Sequence, residues 1–585
     1  MNPKGKLVVG VDYGTTFTGV SYALLRVTSL SIMGLVRSWP TPSGRLTHAI
    51  KAPSRIAYPQ NNCAIQKNSW GFQIQHGTSA SSWTKLLLDT GVDIAQFNDK
   101  ALEAATAMGI MKLPQGKVAI QVVTDFLREV YVNTCRELEK YLVELRPPLR
   151  LRDVHMEFWF TTPAVWSDQV QFEYKEAAIR AGFGPSGDRP GDTIYMLCEP
   201  EAAALATFKT MPLYGPGMQI KLRGPILNAK PGDGILICDC GGGTVDVTSY
   251  LISEVSPMLA FDELTSAVGG MCGATAIDRN FYLLMSERFG AAFKDLPFKL
   301  KAPGSEFMDN FQVIKETFCC SAVDRVHRLP LAMALNNPNP SFFDAKYQQV
   351  LLSGNDLRGI FDPVLRQITQ LIHRQIESAN QEVGRFVINS AALASHHTYG
   401  KGFQEHLPSM ESWPYSPQQT PMVMRGAVIR GLGGPQPTTR KCRSHYGFEC
   451  PLLVKGTGTV PVFVSWVLAK GERYARNYTA TQDLVVTHHS GDSLMKISNL
   501  YSCNDANAPQ LVDHPGVYLI AQIMCDFASV DLAQFPQSRT GTQVEYLLGY
   551  SIEVTFGAQG DLKCKAVCQD RTVGESTVHF AREQW

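Results

Sequence analysis

Two short segments carry the residue types that hold phosphate and a divalent metal together. LVVGVDYGTTFTGVSYALL runs from Leu7 to Leu25, and ILICDCGGGTVDVTSYLI from Ile235 to Ile252. Each is an apolar strand that ends in aspartate, turns on glycine beside threonine, and continues as a second strand. Asp12 matches Asp239, Gly14 matches Gly241, and Thr15 or Thr16 matches Thr244. A glycine turn exposes successive N–H groups that form a concave anion site, and it lets a phosphate come close to the backbone. Threonine hydroxyls add donors. An aspartate repels phosphate unless Mg2+ lies between them, the carboxylate holding the hydrated metal and the metal holding phosphate oxygens. One such hairpin is ordinary β-structure. Two with matched Asp, Gly and Thr predict similar half-domains facing each other across a cleft.

Other groups are candidates to join them. Lys85, in SSWTKLLLDTG, stands just ahead of an apolar run, and its spacing alone reads as a lysine at the surface end of a helix. Glu199, after a short strand and before Pro200, is equally a site carboxylate and a first-turn acid on a helix dipole. Gly269, Gly270 and Gly273 precede a helix, whose N-terminus favours anions; a tight packing turn explains them as well.

The elements that must position these residues are legible in hydrophobic period. Lys117 to Leu142 is helical, with Val122, Phe126, Leu127, Val130, Leu138 and Leu142 on or near one face. VHMEFWFTTPAVW is a buried strand entering a turn. SDQVQFEYKEAAIRAGF is a helix with Ser167 as N-cap, Asp168 in the first turn and Gly182 at its end. DTIYMLCEPEAAALATF is a strand, a turn and an alanine-rich helix. A Pro/Gly-rich loop spans Met211 to Asp233. One later helix carries Phe311, Ile314, Lys315 and Phe318, and another runs from Pro363 to Val383. Near Gly431 the chain changes character: GLGGPQPTTRKCRSHYG is a linker by composition. The short apolar runs beyond it, from about Arg440 to Trp585, predict a small β-sandwich.

The bulk properties set limits. At 585 residues the chain is too long for one core. Net charge is +1, with no lysine- or arginine-rich run, which gives nucleic-acid binding no electrostatic support. No apolar stretch reaches transmembrane length, and MNPKGK leads straight into the first strand, so cytosol or nucleus is the expected location. The 14 cysteines lack paired CxxC spacing and are expected to be reduced and mostly buried. The doublets His396–His397 and His488–His489 are expected at the surface or in loops.

In order along the chain, VDYGTTFTGV, FTTPAVWSDQVQFEYKEAAIRAGF, LCEPEAAALATF, CDCGGGTVDVTSY and MVMRGAVIRGL resemble the actin-like ATPase superfamily, and within it the seventy-kilodalton heat-shock chaperones. LVRSWP, KAPSRIAYP, SWTKLLLD, GGMCGATAIDRNF, CRSHYG and VSWVLAKGE are similar to its divergent twelve-A and twelve-B branch and fungal relatives. The resemblance implies an α/β fold: a duplicated, ribonuclease-H-like ATPase domain over residues 1–435 and a smaller β-rich domain over 436–585 without a helical lid. It implies ATP or ADP with Mg2+ as ligands, slow hydrolysis, and nucleotide control of a C-terminal domain that takes a protein or peptide client. It places hydrated Mg2+ on Asp12 and Asp239, and the β- and γ-phosphates on Thr15, Thr16 and the backbone of Gly241, Gly242 and Gly243. Thr244 would reach the γ-phosphate, Glu199 and Asp239 would orient the attacking water, and Lys85 would stabilise developing charge. Gly269, Gly270 and Lys315 would line the remaining nucleotide site.

One segment departs from the family. Its adenosine-covering glycine pair is missing from FVINSAALASHHTYGKGFQEHL, Phe386 to Leu407, where Ala391, Ala392, Ala394 and Ser395 stand instead. Gln312 and Glu316 also replace the usual neighbours of Lys315. A second reading therefore accompanies the ATPase switch, a pseudo-ATPase binding scaffold; a small-molecule kinase of the same superfamily is a more remote third, against which the β-rich tail and the chaperone-like segments stand.

Overall fold

Strand β1 (Lys6–Tyr13) is buried along nearly its whole length, as a central strand covered on both faces must be. It pairs antiparallel with β2 (Phe17–Leu25), whose outer edge takes β3 (Lys51–Pro53). Helix α1 (Ala119–Glu144) covers this sheet with the predicted face, Val122, Phe126, Leu127, Val130, Leu138 and Leu142 all being buried. β4 (His155–Thr162) then pairs parallel with β1. Helix α2 (Asp168–Ala181) starts where Ser167 accepts a hydrogen bond from the Val170 N–H and ends at Gly182, whose φ of 115° suits glycine. β5 (Thr193–Cys198) pairs parallel with β4, and α3 (Glu199–Phe208) follows at once.

A second sheet is built in a related way. β6 (Gly234–Cys240) and β7 (Val245–Glu254) form an antiparallel hairpin, and β8 (Val268–Gly270) pairs with β7. Helices α4 (Ala274–Phe289), α5 (Glu306–Thr317) and α6 (Gly354–Ala379) pack an aromatic-rich core around Phe281, Phe307 and Phe311. β9 (Phe386–Ser390) then pairs parallel with β6. Helix α7 (Met422–Gly431) lies against α3 and β1, so closely that a methyl group on Gly426 would come within 1.7 Å of the Ala202 carbonyl oxygen. The Ser21 hydroxyl donates to the Met424 carbonyl at 2.6 Å.

The sequence places the start of α6 at Pro363, but the helix begins at Gly354 and carries that proline inside it. Ser353 and Asp356 cap each other: the Ser353 N–H donates to Asp356 at 2.8 Å and the Asp356 N–H to the Ser353 hydroxyl at 3.2 Å. That reciprocal pair fixes a start upstream of the proline.

The computed structural model describes residues 5–26, 33–89, 101, 105, 110–111, 113–208, 230–255, 260–318, 325–379, 386–390, 422–451, 462–475, 477–540, 543–557 and 562–578. Most of the loop Met211–Asp233, the doublet His396–His397 and positions 391–407 of the altered segment lie outside them. The chain divides into one unit of Met1–Leu259 with Ala267–Gln436, and another of Ala260–Ser266 with Pro437–Trp585. In the second unit, Val462–Leu468, His445–Pro451, Met495–Cys503 and Val517–Asp526 form one antiparallel sheet. Tyr478–His489, Gln543–Phe556, Leu562–Cys568 and Arg571–Thr577 form another, edged by Gln537–Thr540. Leu500 and Ile523 of the first sheet and Ile552, Val554 and Ala566 of the second are among the buried residues of this unit. His488 is not at the surface: it is buried in the strand Tyr478–His489 against the Tyr546 ring, and burial holds its pKa below the usual histidine value. The described cysteines are free thiols and most are buried.

Candidate functional site

The two hairpins make the same turn. The Gly14 N–H donates to the Phe17 carbonyl at 3.1 Å, and the Gly241 N–H to the Thr244 carbonyl at 2.9 Å. Tyr13 pairs with Thr18 as Cys240 pairs with Val245. This register corrects one match read from the sequence. Thr244 corresponds to Phe17, whereas Thr15 and Thr16 correspond to Gly242 and Gly243. The turn closes with the same number of residues in both hairpins, so the threonines cannot slide onto one another.

The turns meet crosswise. A methyl group on Gly242 would lie 2.5 Å from Thr16 Oγ1, and one on Gly243 would lie 2.4 Å from Thr15 Oγ1. Only hydrogen at these two positions lets the loops approach so closely. The second turn is braced from behind: N–H groups of Gly273, Ala274 and Thr275, at the start of α4, donate to the carbonyls of Gly243, Gly241 and Gly242 at 3.1, 3.0 and 2.7 Å. The N-terminus of α4 is thus used to hold the loop. Gly269 and Gly270, in β8, pair with Asp246 and Val245.

Four carboxylates gather behind the loops. Asp12 ends its strand 5% exposed, and Asp239, Glu199 and Asp246 are as deeply buried. Burial raises the pKa of Asp239 well above its usual value, and the charges of Glu199, Asp12 and Asp246 raise it further. Its Oδ1 is buried with no hydrogen-bond partner among the described residues. Asp246 accepts from the Ala164 N–H at 2.9 Å and so ties the Pro163–Ala164 turn to β7; burial raises its pKa as well.

Two lysines answer this charge. Trp83 adopts φ 58° and opens a short 3-10 turn over Thr84–Leu87 that faces inward. The Thr84 hydroxyl is 2.8 Å from that of Tyr13. Lys85, far from being a surface lysine, is buried with its Nζ 2.5 Å from Glu199 Oε1 and 5.4 Å from the centre of the Trp166 ring. Burial pushes Glu199 up to about 7, with Lys85 pulling the other way. The second cation was not read as a site residue at all. Lys51, on β3, donates from Nζ to Asp12 Oδ2 at 2.6 Å. Burial works against its charge, but Asp12, Asp239 and Glu199 outweigh that and hold its pKa above the ordinary lysine value. The clue available in the sequence was the lysine in KAPSRIAYP. Lys315, in α5, is buried and paired with Asp278 of α4 at 2.8 and 3.0 Å.

The donor set fits a hard cation: carboxylate oxygens from two strand ends, one of them lacking a partner. Among the described residues, no three His, Cys, Asp or Glu side chains are grouped to hold a metal directly.

Sheets flanked by helices, with aspartate-tipped glycine turns at their strand ends, place the chain among mixed α/β proteins consistent with the actin-like ATPase fold. No family model matches it. It is similar to heat shock 70 kDa protein 12A of Mus musculus and of Homo sapiens, each 21% identical over 658 residues that cover 97% of this chain and 90% of the relative. Heat shock 70 kDa protein 12B of Homo sapiens is 24% identical over 329 residues, covering 49% of this chain and 46% of that one. These likenesses support a divergent, 12A/12B-like member of the heat-shock-70 superfamily. No helix among the described residues is long and apolar enough to cross a membrane.

Proposed function

We propose that the chain is an ATP-binding, slowly hydrolysing switch, built on a duplicated actin-like ATPase domain whose nucleotide state sets what the C-terminal unit binds. The observation that carries this reading is the crosswise meeting of Thr15 with Gly243 and Thr16 with Gly242. Two loops related in this way offer N–H and hydroxyl donors to one phosphate chain from both sides. Gly242, Gly243, Thr15, Thr16 and Thr244 are the donors, and Gly241 closes the turn that presents them. Asp12 and Asp239 would hold Mg2+ through its water, and the ion would neutralise phosphate charge. Glu199 sits near the pKa that suits a group taking a proton from water at neutral pH. Lys85 favours its ionised form and brings positive charge to the same place.

A thermal-shift titration tests the reading. Mg-ADP or Mg-ATP at 100-fold its dissociation constant should add about 2.7 kcal/mol to the native state. No shift at millimolar nucleotide would refute it. A second reading, a pseudo-ATPase binding scaffold, draws on the Lys51–Asp12 ion pair, in which a protein amine already sits on a metal-holding carboxylate. It predicts that Asp239→Asn leaves client binding unchanged.

A further inference from the structure

Lys51 has no part in the switch reading, yet its position is tightly specified. β3 pairs with β2 so that Lys51 lies opposite Gly19. The lysine stem crosses that glycine: a methyl group there would come within 2.9 Å of Lys51 Cγ. The stem is thereby laid along β2 toward the loop, and its Nζ reaches Asp12 Oδ2 at 2.6 Å. The side chain as a whole remains 35% exposed. An ammonium group has three donors. One is used on Asp12, which leaves others for a ligand.

The charge balance points the same way. Asp12, Glu199, Asp239 and Asp246 place four carboxyl groups around the loops, and Lys85 is engaged by Glu199. Lys51 is the cation that touches the Asp12 carboxylate on which a hydrated metal would also act. A lysine there and a hydrated metal ion held by Asp12 would have the same task toward phosphate.

We propose that Lys51 is a resident cation of the phosphate site, which grips the phosphate of a nucleoside diphosphate or triphosphate directly and takes over part of the charge neutralisation otherwise left to Mg2+. The inference rests on the nucleotide reading given above. Nucleotide affinity in this protein should therefore depend only weakly on Mg2+, and Lys51 should be the reason.

Isothermal titration of the full chain with ADP, in millimolar Mg2+ and again in EDTA, tests it. The wild type should lose less than about tenfold in affinity when Mg2+ is removed. Lys51→Met keeps the stem and removes the charge. In EDTA it should bind ADP about tenfold to a hundredfold more weakly than wild type, the range for one hydrogen bond to a charged group. In Mg2+ the two should differ less, and Lys51→Arg should recover most of the metal-free binding. Equal Mg2+ dependence in wild type and Lys51→Met would overturn the inference, as would tighter metal-free binding by the variant, which would make Lys51 a plug. If Lys51→Met does not fold, the wild-type comparison decides: a loss above about a thousandfold in EDTA, ~4 kcal/mol, leaves Lys51 no such role. Nucleotide binding with unaltered metal dependence would remove the Lys51 proposal alone, whereas no binding under either condition would remove the switch reading itself.

Discussion

Replacing Lys85 by methionine should change how stability depends on pH, and the structure fixes both direction and size. Lys85 and Glu199 are 2.5 Å apart with side chains 7% and 8% exposed, and burial has already raised Glu199 from 4.5 to about 7. A carboxyl whose folded pKa lies above its unfolded value binds its proton more tightly in the native state. It therefore contributes stability at low pH that is lost as pH rises through the folded pKa. In the wild type this loss runs from about pH 4.5 to pH 7, is on the order of 3 kcal/mol, and then levels off. Without Lys85 the nearest countercharge is gone, while Asp12 and Asp246 still raise Glu199. Its pKa climbs further, and the loss continues above pH 7. The gap between wild type and Lys85→Met should therefore widen as pH rises above 7, by at most roughly 1 kcal/mol per pH unit, the slope of one titrating carboxyl. In Lys85→Met/Glu199→Gln the widening should shrink, because the carboxyl that Lys85 touches is gone. Urea denaturation followed by tryptophan fluorescence reads this directly, since Trp39, Trp70, Trp83, Trp159 and Trp166 are all buried in the N-terminal unit. A gap that stays constant from pH 7 to pH 9 would refute the assignment of Lys85 as the group that keeps Glu199 charged.

The loops and the helix pair give further expectations. Gly243→Ala places a methyl 2.4 Å from Thr15 Oγ1 and 2.6 Å from Leu86 Cδ2. It should force the turns apart, cost about 1–3 kcal/mol and weaken nucleotide binding in the same thermal-shift assay; an unchanged melting midpoint would contradict the loop contact. Gly426→Ala drives a methyl to 1.7 Å from a backbone oxygen of α3. Neither helix backbone can swing aside as a side chain can, so the loss should exceed about 3 kcal/mol. A melting midpoint equal to that of wild type would show that α3 and α7 are not packed as described.

Much of the scaffold was legible because it is written in local chemistry. The α1 face followed from a 3.6-residue period, and α2 from Ser167 and Gly182 at its ends. The two hairpins followed from apolar runs broken by Asp and Gly. The start of α6 was misplaced because Pro363 is the louder local mark, while the Ser353–Asp356 cap is an ordinary pair of polar residues until both are seen to bond. His488 was misplaced because a histidine in a strand shows its face only once the sheet it packs in is known.

The sequence by itself determined which residues tip the loops, Asp12 and Asp239, and that each loop turns on glycine. Those choices depend on the backbone of a few consecutive residues. The tertiary structure alone decided who meets whom. It set Thr15 against Gly243, turned Lys85 inward to Glu199, tied Asp246 to the Ala164 N–H, and laid Lys51 across Gly19 to Asp12. Partners 32 to 228 residues apart carry no local signature, because the Coulomb energy and packing that pair them depend on distance in space and on burial, and neither exists until the sheets have closed.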